Sequence, residues 1–547
     1  MKKQIILFAF LAVAMAGQSQ DFSAVCSTGQ TLYYTITSDT APYTVKVDAP
    51  EHGYGTDISD SISFPSTVTY EGVNYTVTAI GISAFYRCRN ITAITLPNTI
   101  KTIGAHAFYQ CSGITSAVLP NSLDSILNHA FYQCRSITEL TIPSTVKYIG
   151  SSAYAHCTAL TGHLTIPNTV TYLGESAFLN CNGLTGVTLP NSINIIEDHL
   201  FTNCFGLTGT LTIPEGVTSI GVESFFGCYS INRVNLPESL TYIHTAAFEG
   251  CSAMTGTLSI PNAVTVIDEM AFNGCHHLTG IRLGSSLSSI GYATFCGCRS
   301  IVRLDIPANV TTIERYAFAE CEHLTWITLP RALTSLGDAV FTQCYQLHGI
   351  TCYATTPPEL GEYVFDQVDS SLQVLVPCDC IDDYRAHSDW GIFSNYGEVF
   401  GASLVVESIN ESQGTVSISE YPTCENHFAT FRATAKNGYH FVRWSDNVTD
   451  ANRTVEVTED VIYTAYFERN SNPHAIDPIE ETSPATVTTG HESIIVSNAE
   501  WQQVNIYDLT GRTLFSQKVD NITYHVPHTG IYLVRIGIKK SYKLMVL

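Results

Sequence analysis

Apolar residues along this chain recur in a unit longer than any single helix or strand. From Ile91 the sequence runs I-T-A-I-T-L-P-N-T-I-K-T-I-G-A-H-A-F-Y-Q-C to Cys111, and variants follow for more than two hundred residues. The clearest markers are a ring and a cysteine three positions on, from Phe85/Cys88 and Phe108/Cys111 to Phe341/Cys344, with Tyr154 once in place of Phe. Successive cysteines of this column fall 23 or 24 positions apart. A fixed period of that size predicts a solenoid, a stack of like turns.

Each turn reads physically. Leu140 and Ile142 alternate with Glu139 and Thr141, which predicts a short strand with one buried face. Pro143 cannot donate to a ladder and ends the strand. Val146 and Ile149 then point inward, and Gly150 permits a sharp turn. Ala153, Tyr154 and Cys157 fall at helical spacing and predict one or two turns of helix. No single turn can bury these apolar columns, but each neighbour covers the last. Parallel strands about 4.8 Å apart would give a sheet roughly 50–60 Å long over a dozen turns. Some turns carry one extra residue. L-T-G-H-L-T-I-P at 160–167 is one longer than L-T-G-V-T-L-P at 184–190, and the long form returns at 207–214 and 254–261. A loop before the strand is the expected place for it. The fold class is an α/β repeat solenoid, a parallel sheet with short helical turns, followed by small all-β domains.

The organisation follows in order. Lys2 and Lys3, an apolar run at 5–14 and a small-x-small site at Ala14-Met-Ala16 mark residues 1–20 as a secretory signal peptide. The run is shorter than the roughly 20 apolar residues a membrane span needs, and no other stretch could cross a bilayer. Residues 21–79 alternate at 31–36 and 43–47, with a hairpin across Glu71-Gly72, and form an N-terminal β cap. The solenoid occupies 80–352. Residues 353–402 break the period: a strand at 372–376, a short helix at 382–386, and Trp390, Phe393 and Tyr396 covering the last turn make a C-terminal cap. A small β module follows at 403–468, with Trp444 as a core aromatic. Residues 469–490, rich in Pro, Thr, Ser and Glu, read as a linker. Residues 491–547 return to short strands.

Three resemblances are carried by these residues. The turn at 80–352 resembles the BspA-like leucine-rich repeats, L-x-x-[IV]-x-[IL]-P-x-x-[VL]-x-x-I-G-x-x-A-F-x-x-C. Its departures include Tyr154 for Phe, Gly284 for Pro, and Glu197-Asp198 where Gly is usual. That family implies an extracellular or cell-surface protein that binds other macromolecules. G-Y-H-F-V-R-W at 438–444 is similar to the signature of internalin-type B-repeats, which implies a small spacer or surface-binding unit. Residues 491–547 resemble the C-terminal sorting domain of type IX secretion substrates. The resemblance implies sorting roles for Asp508, Gly511, Arg512, Gly530, Tyr532 and Lys543, with the type IX machinery as partner. The final Leu547 departs from the basic residue common there.

Charge and chemistry narrow the function. The formal net charge is −23, which argues against nucleic acid or an anionic membrane as partner. Twelve of the 18 cysteines occupy the repeat column and read as a buried ladder of small hydrophobes. The off-column Cys26, Cys296, Cys352, Cys378, Cys380 and Cys424 are the better disulfide candidates. Neither a metalloprotease H-E-x-x-H, nor a hydrolase G-x-S-x-G, nor a phosphate loop occurs, so no enzyme, metal or cofactor is expected. Binding should fall to the outward strand columns. Through Thr212 these are mostly hydroxyl; beyond it they gather Arg233, Asn235, Arg282, Arg303, Asp305 and Trp326. Exposed Trp beside Arg is the composition of an interaction hot spot. The expectation is a secreted or cell-surface protein whose outward sheet face binds a protein or glycan, in adhesion or host interaction. The alternative is a structural spacer or coat protein with no defined ligand.

Overall fold

A computed structural model of the chain describes residues 20–54, 58–399, 401, 404–459 and 461–470, and the strands between 486 and 546. The stretch expected to be a signal peptide lies outside the described residues but for Gln20. The chain divides into two compact units. Residues 1–405 with 419–430 and 454–462 form one; 406–418, 431–453 and 463–547 form the other.

The first unit begins with the strands Phe22–Val25, Thr31–Ser38 and Thr44–Asp48, paired antiparallel in sequence order. The predicted hairpin is present, Thr67–Tyr70 against Val73–Ile80 across Glu71-Gly72. Val73–Ile80 also pairs in parallel with Thr44–Asp48 on one side and with Thr102–Ile103 on the other. Thr102–Ile103 is the first of a series of two-residue strands, one per coil, continued by Ser125–Ile126, Tyr148–Ile149 and Tyr172–Leu173. The cap is thus the start of one ladder of the solenoid.

The predicted helices do not form. The segment before each cysteine is a pair of tight turns with two left-handed residues four apart, such as His106 and Gln110, both at φ 57°. The N–H groups of His106, Phe108 and Gln110 donate to Asn128, Ala130 and Tyr132 of the next coil at 2.9, 2.8 and 2.7 Å. The intervening N–H groups of Ala107, Tyr109 and Cys111 bond back within their own coil, each at 3.1 Å. A helix would keep every one of these donors to itself. Here half of them stitch coil to coil, and the turn pair places Ala, Phe and Cys on one side just as a helix would. Among the described residues an α-helix occurs at Ile381–Ala386, where the short helix of the cap was expected.

The outward sheet differs from expectation too. It is not continuous but a series of short ladders, and residues 137–142 pair in none of them. The extra residue of the long coils does not sit in a preceding loop. It enters at the first residue of the strand, where Gly162, Gly209 and Gly256 take φ of 80°, 75° and 76° and the register slips by one. Each long coil pairs well with the short coil after it, and the ladder parts before the next long coil. Gly150 serves close approach rather than a left-handed turn: a Cβ there would lie 2.5 Å from the Asn128 nitrogen of the preceding coil.

The interior follows the predicted columns. From Phe85 to Phe365 the rings stack coil on coil, nearly parallel, with centroids 5.1–6.0 Å apart. Tyr154 keeps its ring in the stack, but its buried hydroxyl has no partner among the described residues. All twelve column cysteines are fully buried. From Cys111 on, each thiol donates to the ring residue's carbonyl in the preceding coil: Cys111 to Phe85 at 2.9 Å, Cys134 to Phe108 at 3.1 Å, Cys344 to Phe318 at 3.3 Å. That carbonyl also accepts its own coil's cysteine N–H, as Phe108 does from Cys111, so both lone pairs are used. Burial pushes the thiols of Cys157, Cys204, Cys251 and Cys344 up to about 12.

The repeat runs one coil further than its cysteines. Val364 and Phe365 take the Ala and Phe positions, with left-handed Tyr363 and Gln367 around them, inside the stretch assigned to the cap. Trp390 and Phe393 then cover the Phe365 ring edge-on at 5.9 and 5.2 Å. Of the off-column cysteines, Cys378 and Cys424 form a disulfide, while Cys26, Cys296, Cys352 and Cys380 are free thiols. The bond joins the cap to residues 419–430 of the same unit.

In the second unit, Trp444 is fully buried as expected, edge-on to Phe431 at 5.0 Å, with its indole N–H on the Asp450 carbonyl at 2.9 Å. Further on, Gln502–Tyr507, Thr513–Val519, Gly530–Ile536 and Lys540–Val546 form an antiparallel sheet with Val504, Ile506 and Val534 buried. Thr486–Gly490, which the sequence reading gave to the linker, is a strand paired with Ser493–Ser497.

Candidate binding face

The outward positions of the sheet follow from strand alternation. In Arg303–Asp305, Leu304 is buried while Arg303 and Asp305 are exposed. The next strand, Trp326–Leu329, buries Ile327 and Leu329 and turns Trp326 and Thr328 outward. The parallel register sets Arg303 beside Trp326 and Asp305 beside Thr328.

Trp326 is half-buried, and the neighbouring coil explains how. Its register partner is Gly349, and a Cβ there would fall 2.0 Å from two atoms of the indole ring. The ring therefore lies down over the glycine backbone instead of standing off the sheet. The indole N–H donates to the Thr351 hydroxyl at 3.0 Å, and the His348 ring meets it edge-on at 6.3 Å. A flat ring is thus held from beneath and at its rim, and part of it stays exposed. Arg303 and Asp305 make no hydrogen bond or ion pair with another side chain among the described residues.

The six expected residues are not one cluster. Arg303, Asp305 and Trp326 come together on adjacent strands. Arg282 is exposed at the end of Leu278–Arg282, one coil earlier. Arg233 and Asn235 lie two coils before that, with Gly256–Ser259 between, and Asn235 donates to the Thr212 hydroxyl at 3.3 Å. At about 4.8 Å per coil, Arg233 stands roughly 19 Å from Trp326. Sequence reasoning missed Gly349 and Thr351 as supports of the ring. The signal was there: a glycine follows the tryptophan directly in its own column.

Other polar clusters are less equipped. The His244 Nε2 lies 3.1 Å from the Ser219 hydroxyl, but its Nδ1 is 3.7 Å from Asp268, whose carboxylate accepts the Tyr242 hydroxyl at 3.0 Å instead. The adjacent Thr218 N–H is bonded to Asn194, so it cannot serve a developing oxyanion. His276 and His277 bond to the carbonyls of Gly297 and Ser252. Among the described residues no group of three His, Cys, Asp or Glu is placed to hold a metal, and no helix is long and apolar enough to cross a membrane. Of the residues expected to act in sorting, Asp508, Gly511 and Arg512 lie outside the described residues. Gly530 and Tyr532 stand in Gly530–Ile536, and Lys543 in Lys540–Val546, with Gly530 opposite Val546 and Lys543 opposite Leu533.

Residues 78–372 match, in overlapping stretches, the BspA type leucine rich repeat region, and residues 404–471 match the divergent InlB B-repeat domain. Among solved structures, the chain is similar to a leucine-rich repeat protein from Bacteroides ovatus at 24% identity and a TM-score of 0.43, covering 67% of this chain and 98% of that one. It is similar to a leucine rich cell surface protein from Faecalibacterium prausnitzii at 26% identity and a TM-score of 0.42, covering 60% and 94%. A leucine rich repeat protein of T. pallidum matches at 26% identity and a TM-score of 0.32, covering 41% and 87%. No curated protein matches the chain.

Proposed function

The chain belongs to the BspA-type leucine-rich repeat family, and on that premise we propose that it is a secreted or cell-surface protein that binds a macromolecular ligand through the outward face of its later coils. The observation that carries this reading is the group Arg303, Asp305 and Trp326 on neighbouring strands, two exposed charged groups beside a half-buried ring. Hot spots of interfaces have this make-up, an aromatic and an arginine with few competing partners of their own. The many hydroxyls around it form a polar rim.

Export rests on the two ends. Residues 1–20 act as the secretory leader, and residues 491–547 act as the type IX sorting domain that the secretion machinery reads. Deleting 491–547 should leave the protein inside the outer membrane; unchanged delivery to the surface would remove the sorting role. For binding, the whole chain is screened against protein and glycan ligands. Arg303→Glu and Trp326→Ala should each weaken the strongest hit by about tenfold or more. An unchanged affinity in both variants defeats the proposal. A spacer or coat role is the second reading, favoured by the near-uniform hydroxyl column through Thr212, and a broad screen with no hit would select it.

A further inference from the structure

We propose that the Trp326 platform is a sugar-binding subsite, taking a neutral pyranose of a surface or matrix glycan. The inference rests on the binding role just proposed and names the chemistry of the ligand. Three observations lead to it.

The first is the posture of the ring. An aromatic anchor of a protein interface inserts into a partner's pocket and stands away from its own surface. Trp326 does the reverse. It lies on the Gly349 backbone, where any Cβ would be 2.0 Å from the ring, and its N–H is tied to Thr351 at 3.0 Å. What it offers is a broad flat face with the negative end of the ring quadrupole outward. The C–H groups on one side of a pyranose carry partial positive charge and form a flat apolar patch of similar size. Such a patch stacks on a ring face with little reshaping of either partner.

The second is the pair beside the ring. Arg303 borders Trp326 in the register, and Asp305 follows on the same face. Together they bring a fork of N–H donors and a carboxylate acceptor, with no net charge. Sugar hydroxyls both donate and accept, so adjacent hydroxyls of one ring can satisfy the two groups at once. With the two charges cancelling, the pair gives neither an anionic nor a cationic ligand an advantage over a neutral one.

The third is rigidity. Binding a sugar pays back little per contact, so a site that must first be ordered gains little. Here the ring is fixed before any ligand arrives, by a glycine below it, a hydroxyl at one end and the His348 ring at 6.3 Å. Gly349 and Thr351 are positioning residues, since neither offers its own atoms to the sugar in this arrangement.

The test uses the full chain on an array of neutral hexose and N-acetylhexosamine oligosaccharides, followed by titration of the strongest binder. Trp326→Ala should weaken binding by about tenfold or more, and Trp326→Phe should retain part of the affinity. Gly349→Ala should fall nearly as far as Trp326→Ala, with circular dichroism confirming an intact fold. Should that variant misfold, Thr351→Val reads the same positioning with a smaller loss. Arg303→Ala and Asp305→Ala should each cost several-fold. An oligosaccharide that binds equally to the parent and to Trp326→Ala overturns the inference, as does an array with no binder. If no sugar binds while a protein ligand is found whose affinity drops in Trp326→Ala, the glycan inference falls and the binding role stands. If Trp326→Ala and Arg303→Glu alter no ligand of either kind, both fall.

Discussion

The interior of the solenoid and its outward sheet are made by the same coils, yet substitution is treated differently in each. At the ring position, thirteen coils from Phe85 to Phe365 carry phenylalanine in all but one, and each ring between the two ends touches its like above and below. On the outward columns the residue changes from Thr212 through Arg233 and Gly280 to Trp326 with no break in the coil's path. An inward side chain has two identical neighbours that set its size and angle. An outward one has water, so it can be chosen for a ligand. The exception proves instructive: Gly349 is an outward position fixed by a neighbour, because the neighbour is a ring laid flat.

This comparison can be pressed hardest with base. The column thiols are pushed up to about 12 in several coils, against roughly 8.5 for an exposed thiol. The native coils therefore hold protons that the unfolded chain releases first. The contribution of these thiols to stability is full below about pH 8.5, declines above it, and is lost as pH climbs through 12. Circular dichroism across that window should show the solenoid unfolding, and Cys204→Ala with Cys228→Ala should move the onset upward. A structure unchanged at pH 12 would mean the thiols are not the buried ladder described.

A missing ring comes next. Phe225→Ala, in mid-stack, should cost about 3–5 kcal/mol in denaturant unfolding, since both neighbouring rings lose a face. Tyr154→Phe should go the other way. Removing a buried hydroxyl without a partner should stabilise by about 1–2 kcal/mol, and a loss of stability would show that Tyr154 has a partner. Smallest of all is Thr141→Ala on the exposed hydroxyl column, which should stay within about 0.5 kcal/mol of the parent.

Much of this was legible in the sequence for a plain reason: burial repeats, so its residues repeat. The ring and thiol columns, the N-terminal hairpin and the cap tryptophan were all accessible to pattern and composition. For the disulfide, composition narrowed the candidates to six cysteines, but the pairing of Cys378 with Cys424 depends on the fold. The turns were not. Left-handed backbone at His106 leaves no mark in residue type, because hydrogen bonds to the next coil offset the strain. In the column of Gln110 there was a mark, glycine at 227, 250, 274 and 297 and asparagine at 180 and 203, but helical spacing masked it. The spacing of Ala153, Tyr154 and Cys157 fits a helix and a pair of turns equally. The thirteenth coil was hidden because Val368 stands where the other coils have cysteine. In the face, Arg303 and Trp326 were visible as residue types, but their contact depends on register, and the flatness of the ring depends on Gly349 one coil later.

The thiol ladder also imposes a timetable. Neighbouring cysteine backbones stand about 4.8 Å apart, within the span a disulfide bridges. Once the coils close, each sulfur is sealed from oxidant and keeps its proton, so no bridge forms along the row. Before closure the same twelve sulfurs are exposed, close in sequence and free to join in many wrong pairings. In any oxidising compartment this protein must therefore coil faster than it is oxidised, and reductant during refolding should raise the yield of the coiled form, with Cys378–Cys424 left to close once the reductant is removed.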